Sequence, residues 1–221
     1  MVDDRVAEPA SAACNTLLIQ FARSPVVGRV KTRMIPHLSP QQACDLHEQL
    51  VLWTCRTLIE AKLGAVELAV AGDAGHPLFS RCLELGVSAL TLQPGQDLGE
   101  NMYSAIAAGL SRYDRVVLVG SDCPSLDAHY LASALRALDR APLVLGPAAD
   151  GGYVLIGARQ ITPALFEGIP WGTGTVYAET LARLRQAGWN WEALDALQDI
   201  DRPQDLPHWQ VLRDGVDGFS C

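Results

Sequence analysis

The sequence predicts an α/β protein built as one layered domain. Three observations carry this. Short apolar runs alternate with amphipathic segments, the pattern of strands alternating with helices. The connections between them are short. No repeat, low-complexity segment or Pro/Gly/Ser-rich linker divides the chain, whose 221 residues suit one substantial domain. Residues 1–14 read as a loose, acidic, small-residue tail and residues 15–221 as the domain.

Residues 16–22, TLLIQFA, form a first, fully buried strand. Ser39 then stands as a helix N-cap, with Pro40 at the first helical position and Gln42 completing a capping box. That helix runs to about Lys62 and turns Ala43, Leu46, Leu50, Trp53 and Leu58 toward the core. Residues 66–71 are a second strand, 77–85 a short helix closed by Gly86, and 88–92 a third strand. A helix over 98–110 leads to 115–120, the most hydrophobic strand. Asp127 caps a helix to about Leu138, and strands at 143–145 and 153–157 flank Asp150-Gly151-Gly152. A helix over 175–187 ends at Gly188, and a last one starts near Pro203.

Composition narrows the function. The net charge of −8 opposes broad binding to nucleic acid or anionic lipid. Runs such as TLLI and VVLVG are too short to span a membrane. The start of the chain lacks the basic and apolar regions of a signal peptide, so a cytoplasmic location is expected. The six cysteines include no CxxC pair and read as reduced thiols. Rossmann GxGxxG, P-loop GxxxxGK[ST] and GxSxG signatures are absent. The histidines are scattered, and each reads as surface or core rather than as a base.

Against this acidic background one basic loop stands out. Between Arg23 and Arg33, eleven positions hold four of the chain's 17 Lys and Arg residues: Arg23, Arg29, Lys31 and Arg33. Gly28 lets the backbone approach an anion, and each close cation–phosphate contact is worth roughly 4 kcal/mol at a moderately screened site. A solvated loop would have the same composition. Its place after a strand favours the ligand reading, because ligands in open α/β sheets bind at the carboxyl ends of strands. Ser121 and Asp122 follow the strongest strand in the same way; Asp122 suits a divalent cation and equally a turn ahead of Pro124. Asp201 reads locally as the last helix's N-cap, with Gln204 in a capping box. Asp150 with Gly151 is first a turn signal, while Gly152 exceeds what a tight turn needs and suits close approach to a ligand. Trp171 packs or stacks on a ligand. Gly99, at a helix start near Asp97, either admits a base or ribose or belongs to a capped helix.

In this order, the stretches FARSPVVGRVKTRMIPHLSP, QPGQDLGENM, GSDCPSL, GPAADGGYVLIGA, IPWGTGTV and DIDRPQDL resemble the nucleotide-diphospho-sugar transferase superfamily with the GT-A fold. Within it they resemble the bacterial transferases labelled arsenosugar-biosynthesis (selenodomain-associated) glycosyltransferases. The resemblance covers about residues 16–206 and implies a three-layer α/β/α sandwich around a mixed, mostly parallel sheet. It also implies a bound nucleotide and Mg²⁺ or Mn²⁺. Carried onto this chain, Arg23, Gly28, Lys31 and Arg33 contact phosphates, with Ser121 beside them; Gln93 and Gly99 lie near the base. Asp122 and Asp201 hold the metal, and Lys31, Arg33 and Asp122 carry the chemistry. Asp150, Gly151, Gly152, Tyr153 and Trp171 line the side of a small-molecule acceptor. Lys31 is expected to be exposed to the ligand.

Two departures stand out. The family pattern DLGERM has Asn101 in place of its arginine, and the late DTPEDL has Arg202 and Gln204 in place of Thr and Glu. The first reading is glycosyl transfer from a nucleotide-diphospho-sugar. The alternative is nucleotidyl transfer, since the Gly-Arg-Val-Lys-Thr-Arg loop resembles the triphosphate loop of enzymes such as phospholactate guanylyltransferase. The third is a nucleotide-binding module that has lost catalysis. Base, sugar, acceptor and oligomeric state are left open.

Overall fold

The computed structural model describes residues 15–215; the expected tail 1–14, residues 216–221, Cys14 and Cys221 lie outside the described residues. Seven strands form one sheet: β1 (Thr16–Arg23), β2 (Ala65–Ala71), β3 (Ala89–Leu92), β4 (Arg115–Val119), β5 (Leu143–Pro147), β6 (Tyr153–Ala158) and β7 (Glu192–Ala193). Their order is β3-β2-β1-β4-β6-β5-β7. β6 alone among them runs antiparallel to its neighbours β4 and β5; the other pairs are parallel. The expected mixed, mostly parallel sheet is present.

Strand periodicity divides the core into two layers. Leu18, Ala22, Val66, Leu68, Val70, Val117 and Val119 point to one face. There they meet α1 (Pro40–Ala61), α2 (Pro77–Leu85) and α4 (Ala128–Leu138) through Val51, Cys55, Phe79, Cys82, Leu131 and Leu138. Leu17, Ile19, Phe21, Val116, Leu118 and Ile156 point to the other face, against Met102 and Ile106 of α3 (Leu98–Leu110) and Leu184 of α5 (Val176–Gln186). The central strands β1 and β4 are buried on both sides, so they read as near-continuous apolar runs, broken in β1 only by the buried Gln20 between Ile19 and Phe21. Each fully buried Leu, Val or Ile contributes roughly 1.5–3 kcal/mol relative to exposure.

Local signals placed the helices well. Ser39 accepts from Gln42 N, and Gln42 Oε1 accepts from Ser39 N, the reciprocal capping box expected for α1. Asp97 caps α3 and Asp127 caps α4, each accepting from a backbone N–H three residues on. The last helix departs from expectation. A 3-10 turn (Pro203–Asp205) precedes α6 (Leu206–Asp214). Asp205 accepts from Arg202 N at 2.7 Å and Asp201 N at 3.1 Å, so Asp205 closes this turn. The Asp201 carboxylate is thereby left for another partner. The two-residue β7 and the 3-10 turns Thr32–Met34 and Pro163–Leu165 were not legible, each being too short for a periodic signal.

A third small core, Met34, Ala43, Leu46, Leu50, Ile200 and Trp209, fastens the basic loop and the late Asp-Ile-Asp segment onto α1. Trp53 of α1 is only partly buried; it meets Trp209 edge-on at 5.2 Å and donates to the Pro124 carbonyl. Four described cysteines, Cys44, Cys55, Cys82 and Cys123, are buried free thiols. No helix among the described residues is long and apolar enough to cross a membrane.

Candidate functional site

The order of the strands creates the site. From β1 the sheet grows outward through β2 and β3, and then the chain places β4 on the opposite side of β1. The loops after β1 and β4 therefore diverge, leaving a crevice at their carboxyl ends. A cleft of about 400 Å³ occupies it, lined by Arg23, Arg29, Lys31, Gln93, Ser121, Asp122 and Asp201 among others. Loops after β1, β3, β4 and β7, far apart in sequence, thus share one cavity.

Lys31 is its organising cation. Its backbone is left-handed, φ 48°, at the start of the 3-10 turn. Nζ lies 2.8 Å from Asp122 Oδ1 and donates to the Ile200 carbonyl at 2.5 Å. The side chain is 3% exposed, against 46% for Asp122. The expectation of an exposed Lys31 is therefore corrected. Met34 and Ile200 pull the loop onto the third core, and the lysine follows it inward. Ile200 N also donates to the Asp122 carbonyl at 2.8 Å, so the loops after β1, β4 and β7 are mutually tied.

Arg33 pairs with Asp201, which raises the guanidinium pKa through that hydrogen bond and charge. Arg33 does not line the 400 Å³ cleft. It lines adjoining cavities of about 220 and 270 Å³, where Asp150 and Asp199 also stand. Asp122 belongs to the cleft and the first of these cavities, Asp201 to the cleft and the second. Asp199, not singled out beforehand, has its pKa raised to about 6 by burial, with Asp150 and Asp201 adding like charge.

Other residues hold the frame. The Ser121 hydroxyl donates to the Phe21 carbonyl at 2.7 Å and accepts from buried Gln20 Nε2 at 2.9 Å, locking β4 to β1 at the crevice. Both bonds hold the frame, and the hydroxyl oxygen keeps one acceptor lone pair. Gln93 lines the cleft and donates to the Ala69 carbonyl at 2.9 Å, across the end of β2. His47 also lines it: Nε2 donates to the Arg23 carbonyl at 2.8 Å, and burial lowers its pKa, leaving a neutral ring. Cys123, beside Asp122, has its thiol pushed up to about 12 by burial and is no nucleophile at neutral pH.

Gly28 and Gly99 fall outside the cleft. Gly28, at φ +76°, is exposed with open space where a side chain would stand, so its part is the turn itself. Gly99 lies under Trp171, and a Cβ there would come within 2.7 Å of the indole. Its missing side chain admits a tryptophan. Trp171 in turn packs beside Phe166 at 6.3 Å and meets Tyr153 edge-on at 6.4 Å. Trp171, Tyr153, Gly152 and Asp150 line the 220 Å³ cavity; Gly151, at φ +91°, does not and sits against the Gly174 carbonyl. Asp150 Oδ1 accepts from Gly152 N, the expected turn bond. Asn101 accepts from Gly95 N at 2.7 Å and donates to the Asp97 carbonyl at 2.8 Å, bracing the loop ahead of α3.

Among the described residues, no group of three or more His, Cys, Asp or Glu side chains is gathered to hold a metal ion. Asp122 and Asp201 nonetheless share the cleft as hard oxygen donors. Mg²⁺ is commonly held by one or two carboxylates completed by water and substrate phosphates, and this pair fits that mode.

The fold and crevice define the class: an α/β protein of the nucleotide-diphospho-sugar transferase type. Residues 54–173 match the family described as "Uncharacterized protein conserved in bacteria (DUF2064)", and the chain belongs to this family. Among solved structures, the chain is similar to a Desulfovibrio desulfuricans G20 protein provisionally described as a nucleotide-diphospho-sugar transferase. The two are 32% identical over 93% of this chain and 89% of that one, with a TM-score of 0.79. The fold is shared with CMP:2-keto-3-deoxy-manno-octonic acid synthetase complexed with CTP (13% identity, 90% and 98% coverage, TM-score 0.55). It is shared also with the 4-diphosphocytidyl-2C-methyl-D-erythritol synthase of Anaerococcus prevotii DSM 20548 (9% identity, 90% and 96% coverage, TM-score 0.60). No curated protein matches the chain.

Proposed function

We propose that this protein is a metal-dependent transferase that moves a glycosyl group from a nucleotide-diphospho-sugar to a small hydroxyl-bearing acceptor. One observation carries the reading: Arg23, Arg29, Lys31, Asp122 and Asp201 line a single cleft at the carboxyl ends of β1 and β4. A diphosphate entering there meets Arg23, Arg29 and Lys31, with Arg33 close by across Asp201. The buried Ser121–Gln20 clamp fixes the Asp122 loop, so the charged groups need little reorganisation as the leaving diphosphate gains charge. A Mg²⁺ or Mn²⁺ held by Asp122 and Asp201 would supply further neutralisation of that charge. In the transfer, the bond from the sugar's anomeric carbon to the diphosphate breaks and a bond to the acceptor oxygen forms. The acceptor hydroxyl's proton passes to water, and the nucleoside diphosphate leaves.

Charge on the acceptor side supports glycosyl over nucleotidyl transfer. The adjoining cavities carry Asp150 and Asp199, with Asp205 in the second; Arg33 is already paired with Asp201, which leaves Arg202 in the second cavity against these carboxylates. Such walls repel the phosphorylated acceptor that nucleotidyl transfer requires and tolerate a neutral polyol. The resemblance to the arsenosugar-biosynthesis glycosyltransferases points the same way.

The test is incubation with Mn²⁺ and a panel of NTPs and nucleotide sugars, followed by mass spectrometry. Release of a nucleoside diphosphate, including slow nucleotide-sugar hydrolysis, supports the proposal. Pyrophosphate release from an NTP assigns nucleotidyl transfer instead. Binding without turnover across an acceptor panel assigns a nucleotide-binding module. A companion measurement removes the metal: EDTA should abolish turnover, and Mn²⁺ should restore it.

A further inference from the structure

The two carboxylates best placed for a divalent ion are both already matched by cations, and both cations come from one short loop. Lys31 Nζ is 2.8 Å from Asp122 Oδ1, and the Arg33 guanidinium holds the Asp201 carboxylate. The lysine cannot drift away on its own, because the Ile200 carbonyl fixes it from the other side and it is 3% exposed. A divalent ion approaching the ligand-free protein therefore meets two neutralised carboxylates, with two positive charges beside them. Repulsion from those charges opposes the attraction of the oxygens.

Phosphate changes this balance. Its oxygens offer Lys31 and Arg33 alternative charge-assisted partners, and the shift frees lone pairs on Asp122 and Asp201. Arg23 and Arg29 line the same cleft; neither appears among the described ion pairs, so both are available to receive a polyanion first. Resting on the proposed use of a nucleotide diphosphate, we infer that Lys31 and Arg33 are resident counter-cations. They keep the divalent ion out until a diphosphate has drawn them off, so that nucleotide binds before the metal or with it, never after it.

Mn²⁺ uptake by the full chain, followed by electron paramagnetic resonance without nucleotide, tests this independently of turnover. Wild type should take up Mn²⁺ weakly. Arg33→Gln and Lys31→Met should each bind it at least about tenfold more tightly, since each frees one carboxylate. Arg33 is half exposed, so its variant decides the matter if Lys31→Met does not fold. In parallel, ADP, CDP, GDP, UDP and TDP are titrated in EDTA and in Mn²⁺. At least one should bind in EDTA, and Mn²⁺ uptake should strengthen in its presence. Wild-type uptake equal to that of Arg33→Gln, or unchanged by a diphosphate that binds, overturns the inference. Tighter uptake by the variants with no diphosphate bound under any condition would instead sink the nucleotide reading and leave the counter-cation pairing standing.

Discussion

Removing Lys31 and removing Asp122 should have unequal consequences, although the two form one ion pair. Lys31→Met takes the donor from the Ile200 carbonyl, at one of the most buried residues of the third core, and the partner from Asp122. An orphaned buried carbonyl costs about 1–3 kcal/mol. Asp122 keeps nearly half its side chain in water, though the paired Oδ1 is buried, and its loss of the lysine adds up to about 1 kcal/mol. The sum is about 1–4 kcal/mol, or a fall in Tm of roughly 2–16 °C for a domain of this size. Asp122→Ala leaves the opposite fragment: a lysine that cannot rehydrate and has lost its anion. Breaking a buried pair from that side costs about 3–5 kcal/mol. Thermal unfolding by circular dichroism at neutral pH, with urea titrations for the free energies, measures both. Asp122→Ala should melt below Lys31→Met, and the double variant should fall by less than the sum of the singles. A Tm for Lys31→Met within about 2 °C of wild type would refute the buried-hub reasoning. So would Asp122→Ala melting above Lys31→Met.

Three further outcomes follow from the same geometry. Gly99→Ala should displace Trp171, destabilise the protein by about 1–3 kcal/mol through overpacking, and shift the intrinsic tryptophan fluorescence; an unchanged spectrum with unchanged Tm would disprove the packing. Asp199 has its folded pKa raised to about 6 from 3.8, so its ionisation opposes folding. The penalty is full above pH 6 and fades as pH falls toward 3.8. Asp199→Asn should therefore raise Tm at pH 7.5 and lose that advantage by about pH 4, and a gain that is flat with pH would contradict the assignment. Cys123, with its thiol near 12, should resist alkylation by iodoacetamide in the native protein at pH 8 and react once unfolded, as mass spectrometry of the labelled peptide would report.

What the sequence disclosed and what it hid divide along sequence separation. Ser39-Pro40 with Gln42, Asp97 ahead of α3 and Asp127 ahead of α4 each declare a helix start through bonds spanning three residues, and all three were legible. The strands β1 and β4 announced themselves as mostly apolar runs because both of their faces are buried, Gln20 being the one polar residue inside β1. Even the crevice was foreseeable in outline, since polar loops after the strongest strands of an open sheet face one edge. The basic loop's inward turn was not. Lys31 meets a carbonyl 169 residues away, and no local pattern distinguishes a lysine bound for that contact from one facing solvent. Asp201 misled for the reverse reason: its neighbours form a plausible cap, and only Asp205 taking the backbone N–H groups frees Asp201 for Arg33. At Gly99 the sequence shows a missing side chain without showing what fills the space: Trp171 packs there, and Gly99 also lines a separate cavity of about 510 Å³ beside Asp97 and Glu100.

These misreadings share a physical cause that bears on function. Each concerns a group whose local environment would satisfy it well enough, yet which the fold commits to a distant partner: Lys31 to Asp122 and Ile200, Asp201 to Arg33. Such long-range commitments cost chain entropy, and a loop gains nothing in stability from burying a lysine that water would solvate freely. At Lys31 the cost falls where loops after β1, β3, β4 and β7 must stay in register at one crevice. A lysine fixed between the Asp122 carboxylate and the Ile200 carbonyl holds three of those loops at a set spacing before any ligand arrives. The loops are thus arranged in advance, so that once a diphosphate has drawn Lys31 from Asp122 the cleft's charges meet a developing negative charge with little further movement.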